Sequence, residues 1–148
     1  NDIRSSPAVA EGMVYFGSVD WTLYALEIAS GFAVWRKRLA KAIVSSPAFA
    51  DGVVYVGCAD GNLYAFEART AKELWRFETD NQVNGSPLIH KDALYCGSVD
   101  GNLYALNRDN GKLRWKFSTN GPITGSPVFA DDRIYVGSND RRLYALTP

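Results

Sequence analysis

The sequence predicts an all-β protein made of stacked four-stranded antiparallel units, and three observations carry that prediction. A 40-residue period runs the length of the chain, each period divides into short strand-like runs bounded by turn residues, and no segment shows a helical period. The period is plainest in Ser-Pro, which stands at Ser6-Pro7, Ser46-Pro47, Ser86-Pro87 and Ser126-Pro127. In the same register come Tyr15, Tyr55, Tyr95 and Tyr135, then Gly17, Gly57, Gly97 and Gly137, then Asp20, Asp60, Asp100 and Asp140. Leu23, Leu63, Leu103 and Leu143 follow, each ahead of Tyr-Ala, and Trp35, Trp75 and Trp115 recur in the first three units.

Within a unit, the first strand follows Ser-Pro, as in Pro47-Ala48-Phe49-Ala50, and the second is the run Val53-Val54-Tyr55-Val56-Gly57. The third is Asn62-Leu63-Tyr64-Ala65-Phe66 and the fourth is Glu73-Leu74-Trp75-Arg76-Phe77. Their β-branched and aromatic content suits strands. Asp51-Gly52 and Asp60-Gly61 supply hairpin turns that need positive φ, and Asn110-Gly111 marks the turn between third and fourth strands. A lone four-stranded meander with apolar residues on both faces cannot bury them, so successive units must stack face to face. Stacked radially, they make a β-propeller, with each outer-strand tryptophan wedged between neighbouring blades. The expected domain is a single partial propeller over residues 1–148, with repeats at approximately 1–40, 41–80, 81–120 and 121–148. It holds three complete blades and a fourth without its outermost strand.

Composition narrows the function. The 148 residues suit one domain, and 16 basic residues balance 16 acidic ones, so no net field favours nucleic acid or an anionic membrane surface. Apolar stretches are four to six residues long, against the roughly 20 a bilayer span needs, so no membrane span is expected. Because the chain opens at Asn1 without a leader, any signal peptide is expected to have been removed or to lie outside it. Cys58 and Cys96 fit neither a disulfide framework nor a metal cluster and are expected to be buried thiols.

The pattern Tyr-x-Gly-x-x-Asp-Gly-x-Leu-Tyr-Ala-Leu, then Gly-Lys and Leu-x-Trp, is carried best by Asp100-Gly101-Asn102-Leu103-Tyr104-Ala105-Leu106 through Gly111-Lys112-Leu113-Arg114-Trp115. It resembles the repeat of the pyrroloquinoline-quinone-like propeller superfamily over essentially the whole chain. That family includes quinoprotein alcohol dehydrogenases, a lipoprotein subunit of the outer-membrane barrel assembly machinery, and sensor domains of receptor kinases. The resemblance implies seven or eight blades in a full ring, of which this chain would supply about half, and a periplasmic or extracellular setting in bacteria. The first unit departs from the pattern with Asp20-Trp21-Thr22 and the fourth with Asp140-Arg141-Arg142, while Ala71 replaces the turn glycine in the second.

No catalytic group is expected. His90, the one histidine, lacks a nucleophile partner and reads as a solvated residue at the first-to-second-strand turn. The four aspartates share one rim, but blades about 10 Å apart cannot bring their carboxylates around one ion, so each is expected to accept hydrogen bonds from its own turn. The quinoprotein active site implied by the resemblance needs adjacent bridged cysteines and a calcium site; Cys58 and Cys96 lie in neighbouring units, so no quinone or other cofactor is expected. Trp21, Arg141 and Arg142 are the leading binding candidates, because they put large recognition-prone side chains where other units have small turn residues. Arg4 and Asn84, at the start of innermost strands in register with Val44 and Thr124, are candidates to line the channel. The expected function is a non-catalytic scaffold binding a protein or small molecule on one rim, as a sensor or assembly-factor domain. The alternatives are a fragment of a quinoprotein dehydrogenase or an engineered or excised repeat array. Open end blades predict self-association as a homodimer that closes an eight-bladed ring, with Trp21 and Arg141-Arg142 near the seam.

Overall fold

Fifteen strands form in the computed structural model, which describes residues 2–148. The first blade contains β1 (Ala8–Ala10), β2 (Met13–Gly17), β3 (Thr22–Glu27) and β4 (Ala33–Arg38). The second contains β5 (Ala48–Ala50), β6 (Val53–Gly57), β7 (Asn62–Glu67) and β8 (Glu73–Glu78). The third contains β9 (Leu88–His90), β10 (Ala93–Gly97), β11 (Asn102–Asn107) and β12 (Leu113–Ser118). The fourth has β13 (Val128–Ala130), β14 (Arg133–Ser138) and β15 (Arg142–Leu146). Every blade is an antiparallel meander whose strands neighbour one another in chain order, so the chain is a partial four-blade propeller.

The cross-strand register explains the residue pattern. Tyr15, Ala25 and Trp35 lie side by side across the first sheet, as do Tyr55, Ala65 and Trp75 in the second and Tyr95, Ala105 and Trp115 in the third. The small alanine lets the flanking rings meet over it, with tyrosine and tryptophan centroids 6.0, 5.9 and 5.8 Å apart in the three blades. A register shift follows each alanine, leaving Val34, Leu74 or Arg114 as the unpaired extra residue of a bulge. Blades then pack face to face. Leu23, Ala25 and Tyr15 of the first meet Val54, Val56, Tyr64 and Phe66 of the second, with Ile43 from the intervening link. The same layer recurs between the second and third blades and between the third and fourth.

Two devices tie the blades to one another. The first is close approach at glycine. A Cβ on Gly17 would lie 2.1 Å from the Ile43 side chain, one on Gly57 2.6 Å from Val83, and one on Gly97 2.2 Å from Ile123. Each link between blades thus seats a branched side chain in a slot that only glycine leaves open. The second is a serine ladder around the axis. The Ser6 N–H donates to Ser46 Oγ at 2.8 Å, the Ser46 N–H to Ser86 Oγ at 2.9 Å, and the Ser86 N–H to Ser126 Oγ at 2.8 Å. The proline after each serine has no N–H to leave unpaired on that inner edge. No further rung joins Ser126 to Ser6 among the described residues.

Three expectations shift. Innermost strands begin after the proline, so Pro47 lies outside β5, and β7 and β8 each run one residue longer than read from the sequence. Arg4 and Asn84 consequently lie in the segments leading into blades and not in innermost strands, because those segments spend their backbone on neighbouring blades and turns. His90 ends β9 itself, where it stacks on Phe129 of the next blade with centroids 3.8 Å apart, and is half-buried, not a solvated turn residue.

Candidate functional site

The antiparallel meander sends the second-to-third-strand turns and the links between blades to one rim, and the other hairpin turns to the opposite rim. On the link rim the four aspartates organise the surface. Asp20 Oδ1 accepts the Thr22 N–H at 3.0 Å and its Oδ2 accepts the Tyr24 hydroxyl at 2.8 Å. The arrangement repeats at Asp60 with Asn62 and Tyr64 (2.9 and 2.7 Å), at Asp100 with Asn102 and Tyr104 (2.8 and 2.7 Å), and at Asp140 with Arg142 and Tyr144 (3.0 and 2.6 Å). Asp100 and Asp140 also accept N–H groups of Asp80 and Asn120 in the preceding links, each at 3.1 Å. Both oxygens of each carboxylate are therefore engaged by its own turn, as the sequence led one to expect.

Electrostatics follow from these clamps. Burial raises the Asp20 carboxyl, but the hydrogen bonds from Tyr24, Thr22 and Ser18 outweigh it and hold the group below its usual range. At Asp140 the Tyr144 hydroxyl is the main cause of a like depression. Tyr64 and Tyr104 are raised, first by burial and then by donating to their aspartates. Burial pushes the Cys58 thiol up to about 11 and the Cys96 thiol up to about 12; both are free and buried, hence un-ionised at neutral pH.

Trp21 and Arg141 occupy the left-handed tips of these turns, at φ 75° and 70°, where the second and third blades have Gly61 and Gly101 at 94° and 91°. A non-glycine residue there costs about 1–2 kcal/mol of backbone strain. Trp21 is 44% exposed, and the Arg38 guanidinium lies 5.1 Å from its ring centre. Arg141 and Arg142 are exposed beside Asp140. All three candidates share the link rim, but Trp21 belongs to the first blade and the arginines to the fourth, so one chain does not bring them together. Ala71 likewise adopts a positive φ, 60°.

Arg4 is exposed and pairs with Asp2 at 3.5 Å. Asn84 is half-buried; its amide donates to Gln82 Oε1 at 3.0 Å while its Oδ1 is buried without a partner among the described residues. Two clefts escaped the sequence reading. One, of about 360 Å³ on the link rim, is polar and bounded by Lys41, Asp60, Glu78, Asp80 and Gln82. The other, of about 350 Å³ on the opposite rim, lies between the third and fourth blades against His90, Lys91, Tyr95, Arg114 and Phe129. Both clefts are built from residues far apart along the chain, such as Lys41 with Gln82 and His90 with Phe129, so no local stretch of sequence signals them. No group of three or more histidine, cysteine or acidic side chains among the described residues is placed to hold a metal ion.

A family model described as outer membrane protein assembly factor BamB matches residues 1–116 and 59–148. No curated protein matches the sequence. BamB from Moraxella catarrhalis superposes with a TM-score of 0.87 at 21% identity, over 97% of this chain and 46% of that one. The computationally designed Ika4 protein gives 0.88 at 19% identity, over 99% of this chain and 91% of that one. Quinohemoprotein alcohol dehydrogenase from Comamonas testosteroni gives 0.84 at 20% identity, over 93% and 29%. The chain thus spans about half the length of the BamB structure, and these likenesses establish the fold alone.

Proposed function

We propose that this chain, which belongs to the BamB family of pyrroloquinoline-quinone-like repeat proteins, is a non-catalytic scaffold that docks a protein partner on its link rim. The observation that carries this reading is the pair of large side chains, Trp21 and Arg141, held at strained left-handed turn tips that glycine occupies in the middle blades. Residues held in sparsely populated backbone regions cluster at binding sites, and these two differ from the chain's other left-handed non-glycine residues in standing where the middle blades keep glycine. The polar chemistry around them supports binding over catalysis, since each aspartate's oxygens are already spent on its own turn. The family description, an outer membrane protein assembly factor, favours a component of outer-membrane protein assembly as partner and a periplasmic or extracellular location in bacteria.

Interferometry against purified outer membrane protein assembly components tests the docking role. Binding should weaken at least about tenfold in the variants Trp21→Gly and Arg141→Gly, each of which relieves backbone strain while removing the side chain. Unchanged binding in both variants would sink the rim assignment. Stoichiometric uptake of pyrroloquinoline quinone with calcium, followed by absorbance, would favour the dehydrogenase-fragment reading instead.

A further inference from the structure

The outer strand of the first blade, β4, is charged unlike the outer strands that follow it. Residues 33–41 hold four cations, Arg36, Lys37, Arg38 and Lys41, and no carboxylate, while the equivalent residues 73–81 hold Glu73, Glu78 and Asp80 against one arginine. None of the four cations is ion-paired among the described residues, whereas Arg76 of the second blade is held by Glu73 at 2.6 Å and Arg114 of the third by Asp92 at 2.7 Å, leaving β12 with Lys116 alone. Aromatic rings position three of them instead. The Arg36 guanidinium lies 5.9 Å from the centre of the Tyr24 ring, that of Arg38 5.1 Å from Trp21, and the Lys37 ammonium 5.6 Å from Phe66.

The same strand is open along one edge, since β4 pairs with β3 alone. The Leu39 N–H donates to the Trp21 carbonyl at 2.7 Å, and every second residue of an antiparallel ladder turns its backbone to the partner strand. Lys37 therefore continues the pairing with β3, while Arg36 and Arg38 direct their N–H and C=O groups away from it. In the same alternation Val34 is 55% exposed and Phe32, just before the strand, 77% exposed. This exposure belongs to the outer-strand position and not to the end of the blade array. In the second blade, which has a blade on either side, Lys72, Leu74, Arg76 and Glu78 stand at the same four positions and all are exposed.

We infer that β4 takes up an extended acidic segment of a partner protein as a fifth strand of the first blade, with carboxylates opposite Arg36 and Arg38 and apolar side chains against Val34 and Phe32. The open backbone supplies hydrogen bonds that any extended chain could use, so the side chains choose the occupant. A row of cations repels a second copy of the same strand, which is how edges are guarded against self-pairing. An acidic segment turns that repulsion into attraction. Phe32, standing where the second and third blades carry Lys72 and Lys112, adds an apolar contact for which a merely guarded edge has no use. The inference goes beyond the rim docking above and shares with it only Trp21, the ring beside Arg38.

Fluorescence anisotropy tests it, using the whole chain and a labelled peptide of about nine residues with phenylalanine and valine at alternate positions of one half and glutamate at alternate positions of the other. Binding should saturate, and should weaken at least about tenfold in the double variant Arg36→Glu, Arg38→Glu. That variant should melt like the wild type, because both positions are exposed. N-methylating every second peptide residue should abolish binding in one of the two alternating frames and spare it in the other, since only one frame faces β4. Absence of binding, equal binding of a scrambled peptide, or indifference to N-methylation in both frames would overturn strand addition. So would capture by phosphatidylglycerol vesicles without peptide binding, which would give the cations to a lipid surface. Arg141→Gly, which should weaken rim docking, should leave the peptide bound; a matching loss would move the peptide to the rim and overturn the edge assignment.

Discussion

Replacing Trp75 with alanine removes an indole that does three things at once. It lies 5.9 Å, centre to centre, from Tyr55 of its own blade, it donates Nε1–H to the Arg108 carbonyl of the next blade at 3.0 Å, and it covers Gly111 so closely that a Cβ there would fall 2.5 Å from the ring. Full burial would put the cost of truncation near 3–5 kcal/mol; Trp75 is half-buried, which lowers the apolar part to about 2–3 kcal/mol. The lost inter-blade hydrogen bond adds about 1 kcal/mol. A total of about 3–4 kcal/mol corresponds to a melting-temperature drop on the order of 10 °C for a domain of this length. Trp115 is the internal control. It makes the matching ring contact with Tyr95, 5.8 Å away, but has no next-blade carbonyl to receive its N–H among the described residues. Trp115→Ala should therefore cost about 1 kcal/mol less than Trp75→Ala. Thermal melts followed by circular dichroism would decide it. Equal losses for the two variants, or no loss for Trp75→Ala, would refute the role assigned to the inter-blade hydrogen bond or to the wedge.

His90→Ala should destabilise the chain by about 1 kcal/mol through loss of its stack on Phe129, measurable by urea titration, and Phe129→Ala in the His90→Ala background should show non-additivity; a change within error would restore a solvated role. Stability should also fall toward both pH extremes. Asp20 and Asp140 have folded pKa values below their unfolded ones, so their contribution is complete above about pH 4 and is lost as pH falls through the depressed values. Tyr64 and Tyr104 are raised, so theirs is complete below about pH 10 and is lost as pH rises further. Melting temperatures from pH 2 to 11 should show this plateau, and Tyr104→Phe should flatten the alkaline limb; an unchanged limb would show that the clamp carries none of it.

What a local interval can encode was legible in the sequence. The aspartate clamp joins residues two and four apart, as in Asp60 with Asn62 and Tyr64, so a repeated Asp-x-x-x-Tyr predicts it without any fold. The strand order and the placing of tryptophan between blades follow from two-faced apolar runs that must be covered from both sides. The limits of innermost strands were not legible, because Ser-Pro reads as extended chain while its hydrogen bonds go to the neighbouring blade, and so Arg4 and Asn84 were misplaced. His90 was read as a turn residue because its partner Phe129 is 39 positions away. The glycine of Tyr-x-Gly is visible as a repeat, yet nothing local says that it receives Ile43, Val83 or Ile123 from the following link. By itself, then, the sequence determined the period, the strands and the turn chemistry, which depend on neighbours along the chain. Only the tertiary structure decided which link residue fills which slot, because occupancy of a face depends on what stacks against it and not on the residues that form it.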